Sequence, residues 1–166
     1  MAAGFLAKLF GGDPTADWPP YNGRTPSFDA ERGVFGPVRL GDPLEKCRAL
    51  GKPARTKGKP ESALKLCYDA GGYEVVIEEG KFVGVYFDTS LDPDRKDSAA
   101  AVVSVGGMPV SGRTTPEEVR AWFGEPASQD DDPEYFELQY ERGKVVMVFD
   151  FEMATGLNGL DVFLDD

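Results

Sequence analysis

The stretch Arg113–Pro126, RTTPEEVRAWFGEP, recurs in weaker form seventy-three residues upstream as LGDPLEKCRALGKP, Leu40–Pro53. The two align without a gap and keep Pro43 with Pro116, Glu45 with Glu118, Gly51 with Gly124 and Pro53 with Pro126. Each spells a short helix. Thr115 or Asp42 serves as N-cap, proline takes the first helical position, glycine provides a left-handed stop, and a second proline forbids continuation. A loop and a run of strand-like segments follow each copy. The chain therefore reads as an α+β protein of two tandem units, each a short helical segment packed on an antiparallel three- to four-stranded meander. Expected boundaries are 1–33 for an N-terminal arm, 34–97 for the first unit and 98–166 for the second.

Within the first unit, Ala63–Tyr68, Tyr73–Glu78 and Lys81–Phe87 are strand-like, separated by the turn signals Gly71-Gly72 and Glu79-Gly80. Alternation places Tyr73, Val75 and Ile77 on one face and Glu74, Val76 and Glu78 on the other. The second unit repeats the pattern with Ala99–Val105, Tyr135–Tyr140, Lys144–Glu152 and Leu160–Leu164. On its long strand Val145, Met147, Phe149 and Phe151 share one face, yet the opposite face offers Val146 and Val148 beside Asp150 and Glu152. In a sheet buried on one side those valines would be wet. Either the N-terminal arm covers them, or Val146, Val148 and Asp150 belong to a binding face.

The charge of −11 is unevenly spread. Residues 127–166 hold eleven acidic and two basic side chains, whereas Lys46–Lys59 holds six basic ones and no acid. Solvated loops explain this most simply; a dipolar surface that steers a partner or pairs copies head to tail is the functional alternative. Net negative charge opposes nucleic-acid binding and points to a protein partner of neutral or basic character. No histidine is present, which removes the commonest general base and transition-metal ligand. Cys47 falls on the apolar side of the first helix with Leu44 and Leu50 and reads as a core residue. Two cysteines, the other being Cys67, fit a reducing cytoplasm, although a bridge between them stays open. No cofactor or metal is expected: the basic loop Gly51–Pro60 lacks phosphate-loop spacing, and Asp92, Asp94 and Asp97 lack a calcium loop's glycine and terminal glutamate.

No stretch is apolar enough to span a membrane. The N-terminal MAAGFLAKLFGG places Phe5, Leu6, Leu9 and Phe10 on the face of a two-turn helix, expected to dock on the body or on a second copy; a membrane-surface anchor is the sharper alternative. The arm that follows, with Trp18-Pro19-Pro20-Tyr21, is expected to be pinned against its own domain.

Thr115–Pro126, followed by a loop and strands carrying Gly143-Lys144-Val145-Val146, resembles the repeat of the β-lactamase inhibitor protein-like superfamily. That group includes the small outer-membrane lipoprotein of the barrel-assembly machinery. The resemblance implies short helices on one side of an antiparallel meander, and tandem units joined into a saddle-like sheet whose concave face grips another protein. No inhibitory residue of the family matches a position here. The expectation is a non-enzymatic, cytoplasmic protein-binding module, inhibitor- or immunity-like, of open oligomeric state. The alternatives are a self-associating scaffold and a carboxylate-dependent enzyme built on Asp130, Asp131, Asp132 and Glu134.

Overall fold

Alternating apolar side chains shape the central strands of this chain, and the computed structural model describes residues 12–92, 99–132, 135–152 and 156–165. The first unit supplies a meander: β4 (Arg55–Gly58), β5 (Ala63–Tyr68), β6 (Tyr73–Glu78) and β7 (Lys81–Asp88). The second supplies another: β10 (Ser128–Asp131), β11 (Tyr135–Arg142), β12 (Val145–Glu152) and β13 (Gly156–Leu164). These join through β7 and β13 into one eight-stranded antiparallel sheet of order β10-β11-β12-β13-β7-β6-β5-β4. The short strands β1 (Phe28–Asp29), β2 (Val34–Phe35), β3 (Val38–Arg39), β8 (Val103–Val105) and β9 (Met108–Val110) form a second sheet of order β3-β2-β1-β8-β9. Its β1–β8 pair is parallel, with Phe28 opposite Val105.

The core lies between the two sheets. Phe35 of the small sheet packs edge-on against Tyr73 and Phe87 of the large one, at ring-centroid distances of 5.2 and 5.5 Å. Leu64, Leu66, Val75, Ile77, Phe82, Leu138, Met147, Phe149 and Leu160 fill the same layer, all buried. The Trp18–Tyr21 arm is pinned, as its apolar content suggested. Trp18 is buried, Tyr21 packs against Tyr68 at 5.1 Å, and Lys52 donates its backbone N–H to the Pro19 carbonyl. The stripe Phe5, Leu6, Leu9 and Phe10 lies outside the described residues, as do Asp94, Asp97 and Glu134.

The fold class is therefore corrected. The described chain is mostly β, with two sheets of five and eight strands, rather than α+β units of a helix on a meander forming a saddle. Two physical causes account for this. First, the basic stretch at β4, the acidic stretch at β10 and the two- or three-residue strands of the small sheet pair through their backbones, which their charged or brief side-chain patterns conceal. Second, the segment Leu44–Leu50 is a 3-10 helix, not an α-helix. Asp42, the expected N-cap, instead accepts from the Arg39 N–H and from Lys46 Nζ, so no side chain caps the first turn. The second copy of the repeated string forms α1 (Pro116–Phe123), which is α-helical and holds a complete capping box. Glu118 N–H donates to Thr115 Oγ1 at 3.2 Å, and Thr115 N–H donates to Glu118 Oε2 at 2.9 Å. Val119 seats it in the core, and Phe123 packs on Tyr140 and Phe149.

The two helical segments should differ in sensitivity. Thr115→Ala removes a cap and is expected to lower stability by about 1 kcal/mol, whereas Asp42→Ala, which caps nothing, should cost less than half of that; urea denaturation of both variants checks the difference.

Candidate functional site

Because strand side chains alternate, each outward row of the large sheet can be traced from the register. One row crosses the whole sheet: Arg55, Cys67, Glu74, Tyr86, Asp161, Val148, Gln139 and Ser128. The row beside it carries Lys57, Lys65, Val76, Gly84, Phe163, Val146 and Glu141. On the other side run Asp88, Gly159, Asp150, Glu137 and Asp130. This face is turned away from the small sheet, and Tyr135 and Phe163 on it are 38% and 39% exposed.

Charge divides the face in two. On β4–β6 the basic groups are matched: Arg55 pairs with Asp69 at 3.1 Å, while Lys57 and Lys65 reach the two Glu74 oxygens at 3.3 and 3.4 Å. Burial works against the Glu74 carboxylate, but the Cys67 thiol that donates to it and the two lysines outweigh burial and hold its pKa below the usual range. On β10–β13 the outward side holds Asp130, Glu137, Glu141, Asp150 and Asp161, with no outward lysine or arginine among the described strand residues. Glu137 stands directly opposite Asp150. Burial, then the Asp150 charge, raises the Glu137 pKa. Tyr135 Oη donates to Asp150 Oδ1 at 2.6 Å, and desolvation together with that bond pushes the phenol up. Asp161 is pushed up to about 6, chiefly by desolvation and then by Asp150, with Lys65 opposing. Among the described residues no hydrogen bond or ion pair reaches the Asp161 carboxylate.

Next to Asp161 the face is indented. Val76 pairs with Gly84 but Ile77 pairs with Phe82, so the β6–β7 ladder is bulged and Val83 has no partner on β6. Gly84 leaves a gap between Val76 on one side and Phe163 on the other. A Cβ there would lie 2.9 Å from the Val162 carbonyl oxygen, so β7 and β13 approach this closely only because residue 84 is glycine. The resulting groove holds about 490 Å³ and is lined by Val76, Val83, Gly84, Asp161 and Phe163, with Glu78, Lys81 and Leu164 at its rim.

The expected binding residues fall differently from one another. Val146 is only 4% exposed and offers nothing to a partner, whereas Val148 and Asp150 are half-buried in the outward rows. Sequence reasoning missed Glu137, Asp161 and the Gly84 groove. Glycine within the apolar run Lys81–Asp88 was the available signal for the groove. Of the acidic loop, Asp130 joins the third row at its edge, opposite Glu137. Both cysteines are free and buried, and desolvation pushes the Cys47 and Cys67 thiols up to about 12 and about 11, which favours the protonated thiol at neutral pH. No group of three or more metal-ligating side chains occurs among the described residues. No described helix is long and apolar enough to cross a membrane.

No protein-family model and no curated protein matches the sequence. A solved structure of a DUF4309 family protein (YjgB) from Bacillus subtilis subsp. subtilis str. 168 is similar at a TM-score of 0.45 and 13% identity, covering 73% of this chain and 76% of that one.

The raised Asp161 gives a stability test with a defined sign. Its folded pKa of about 6 lies above the unfolded value, so the folded state binds the extra proton and stability falls as pH rises through 4 to 6. Asp161→Asn is expected to stabilise the fold at pH 7 by about 1–2 kcal/mol after allowance for partial solvent screening. Below about pH 4 that advantage should vanish, as measured by thermal melts of variant and parent across the range.

Proposed function

We propose that this chain is a non-enzymatic protein-binding module whose outward sheet face engages a partner with basic groups. The observation that carries the reading is the β10–β13 face, where five outward carboxylates, Asp130, Glu137, Glu141, Asp150 and Asp161, occur with no outward lysine or arginine among the described strand residues. A cationic partner relieves the mutual repulsion of Glu137, Asp150 and Asp161, and long-range attraction speeds its encounter. The free thiols fit a reducing cytoplasm as its setting. Head-to-tail pairing of copies through β4 and β10 is a weaker reading, since Arg55 and Lys57 of β4 already pair within the chain.

The test uses a fluorescein-labelled peptide alternating lysine with valine, followed by anisotropy. Binding to the parent protein is expected to weaken about tenfold, ~1.4 kcal/mol, in the double variant Glu137→Gln/Asp150→Asn, and to weaken as salt is raised. An unchanged affinity in the double variant, or equal binding of a glutamate-for-lysine peptide, overturns the reading.

A further inference from the structure

We propose that the groove over Gly84 is the anchor point of that face, a pocket for a lysine or arginine side chain presented by an extended segment of the partner. The inference rests on the protein-binding reading and assigns it a place and a chemistry. The walls are apolar: Val76, the unpaired Val83 and Phe163. At one end stands a carboxylate, Asp161. A long aliphatic stem with a cationic head matches this layout, the methylenes lying on the valines and the phenyl ring while the charge reaches Asp161.

Charges around the groove support a cation over an anion or a neutral group. At the rim Glu78 and Lys81 are cross-strand partners and offset one another. Asp150 adds negative charge beside Asp161. Lys65, the cation that faces Asp161 from β5, is 3.4 Å from Glu74 Oε2 and joins the ion pair there. The volume of about 490 Å³ exceeds what one side chain fills, so it accommodates the anchor with part of the strand that presents it. A side chain on residue 84 would close the groove and collide with β13, so the fold keeps this space open as a condition of its own strand pairing.

The lysine–valine peptide is titrated against the full chain, against Asp161→Asn, which keeps the side-chain size, and against Val76→Trp, which fills the groove. Both variants are expected to bind at least tenfold more weakly than the parent, and acetylation of the peptide lysines should produce a comparable loss. Thermal melts confirm folding; Asp161→Asn stands alone if Val76→Trp does not fold. If both groove variants bind like the parent while Glu137→Gln/Asp150→Asn weakens binding, the pocket assignment falls and the protein-binding reading survives. If the parent binds no cationic peptide, both fall. If binding emerges only after residues 1–11 are deleted, the groove belongs to the chain's own N-terminal segment and the partner assignment is overturned.

Discussion

Everything in this structure depends on the pairing of β7 with β13. Gly84–Asp88 runs antiparallel to Gly159–Phe163, and without that ladder the chain would hold two separate meanders, each with an exposed inner edge. The ladder closes through small residues on its outward side. Gly84 admits the Val162 carbonyl, and Gly159 accepts the ring of Tyr86, which would lie 2.8 Å from a Cβ at that position. Beyond the last pair, Thr89 clamps the end of the seam, its hydroxyl donating to the Leu157 carbonyl at 2.8 Å and its N–H to the Asn158 carbonyl at 3.1 Å. The same glycine that permits the seam also empties the groove, so architecture and proposed recognition share one residue.

Much of the meander content was legible because apolar alternation survives in the central strands. Tyr73–Glu78 is the clearest case: its buried Tyr73, Val75 and Ile77 alternate with outward Glu74, Val76 and Glu78. The edges were not legible. Arg55–Gly58 and Ser128–Asp131 look like solvated loops because edge strands carry charges that discourage unwanted pairing, and only the neighbouring strand makes them strands. The small sheet was hidden for another reason. A strand such as Phe28–Asp29 has no periodicity to read, and its partner Val103–Val105 lies far along the chain. The repeated helix signal showed the limit of capping logic. Two similar strings gave an α-helix where Thr115 and Glu118 satisfy each other, and a 3-10 turn where Asp42 is drawn to Arg39 and Lys46.

For the candidate site, the residue types were visible in the sequence, but their placement on the sheet was not. Of the valines expected on the outward face, Val146 is buried and Val148 half-buried, while Phe163 and the walls beside Gly84 add accessible apolar surface that periodicity alone does not single out. Carboxylate clustering was visible as composition in the last forty residues, but which acids face one another is decided by register alone. Glu137 and Asp150 are thirteen positions apart and directly opposed because the β11–β12 turn fixes their pairing.

The parallel contact of Phe28 with Val105 sets an order of events during synthesis. An N-terminal strand that waits for a partner in the second half cannot complete the small sheet while the first half is emerging. Until then, Phe35, Tyr73 and Phe87 lie in an unfinished core, and β7 presents a long unpaired apolar edge. An unpaired β7 edge beside an unfinished core is the arrangement expected to aggregate most readily, and pairing with β13 removes that edge. Slow translation through residues 99–160 would prolong that arrangement without altering a single contact of the finished fold.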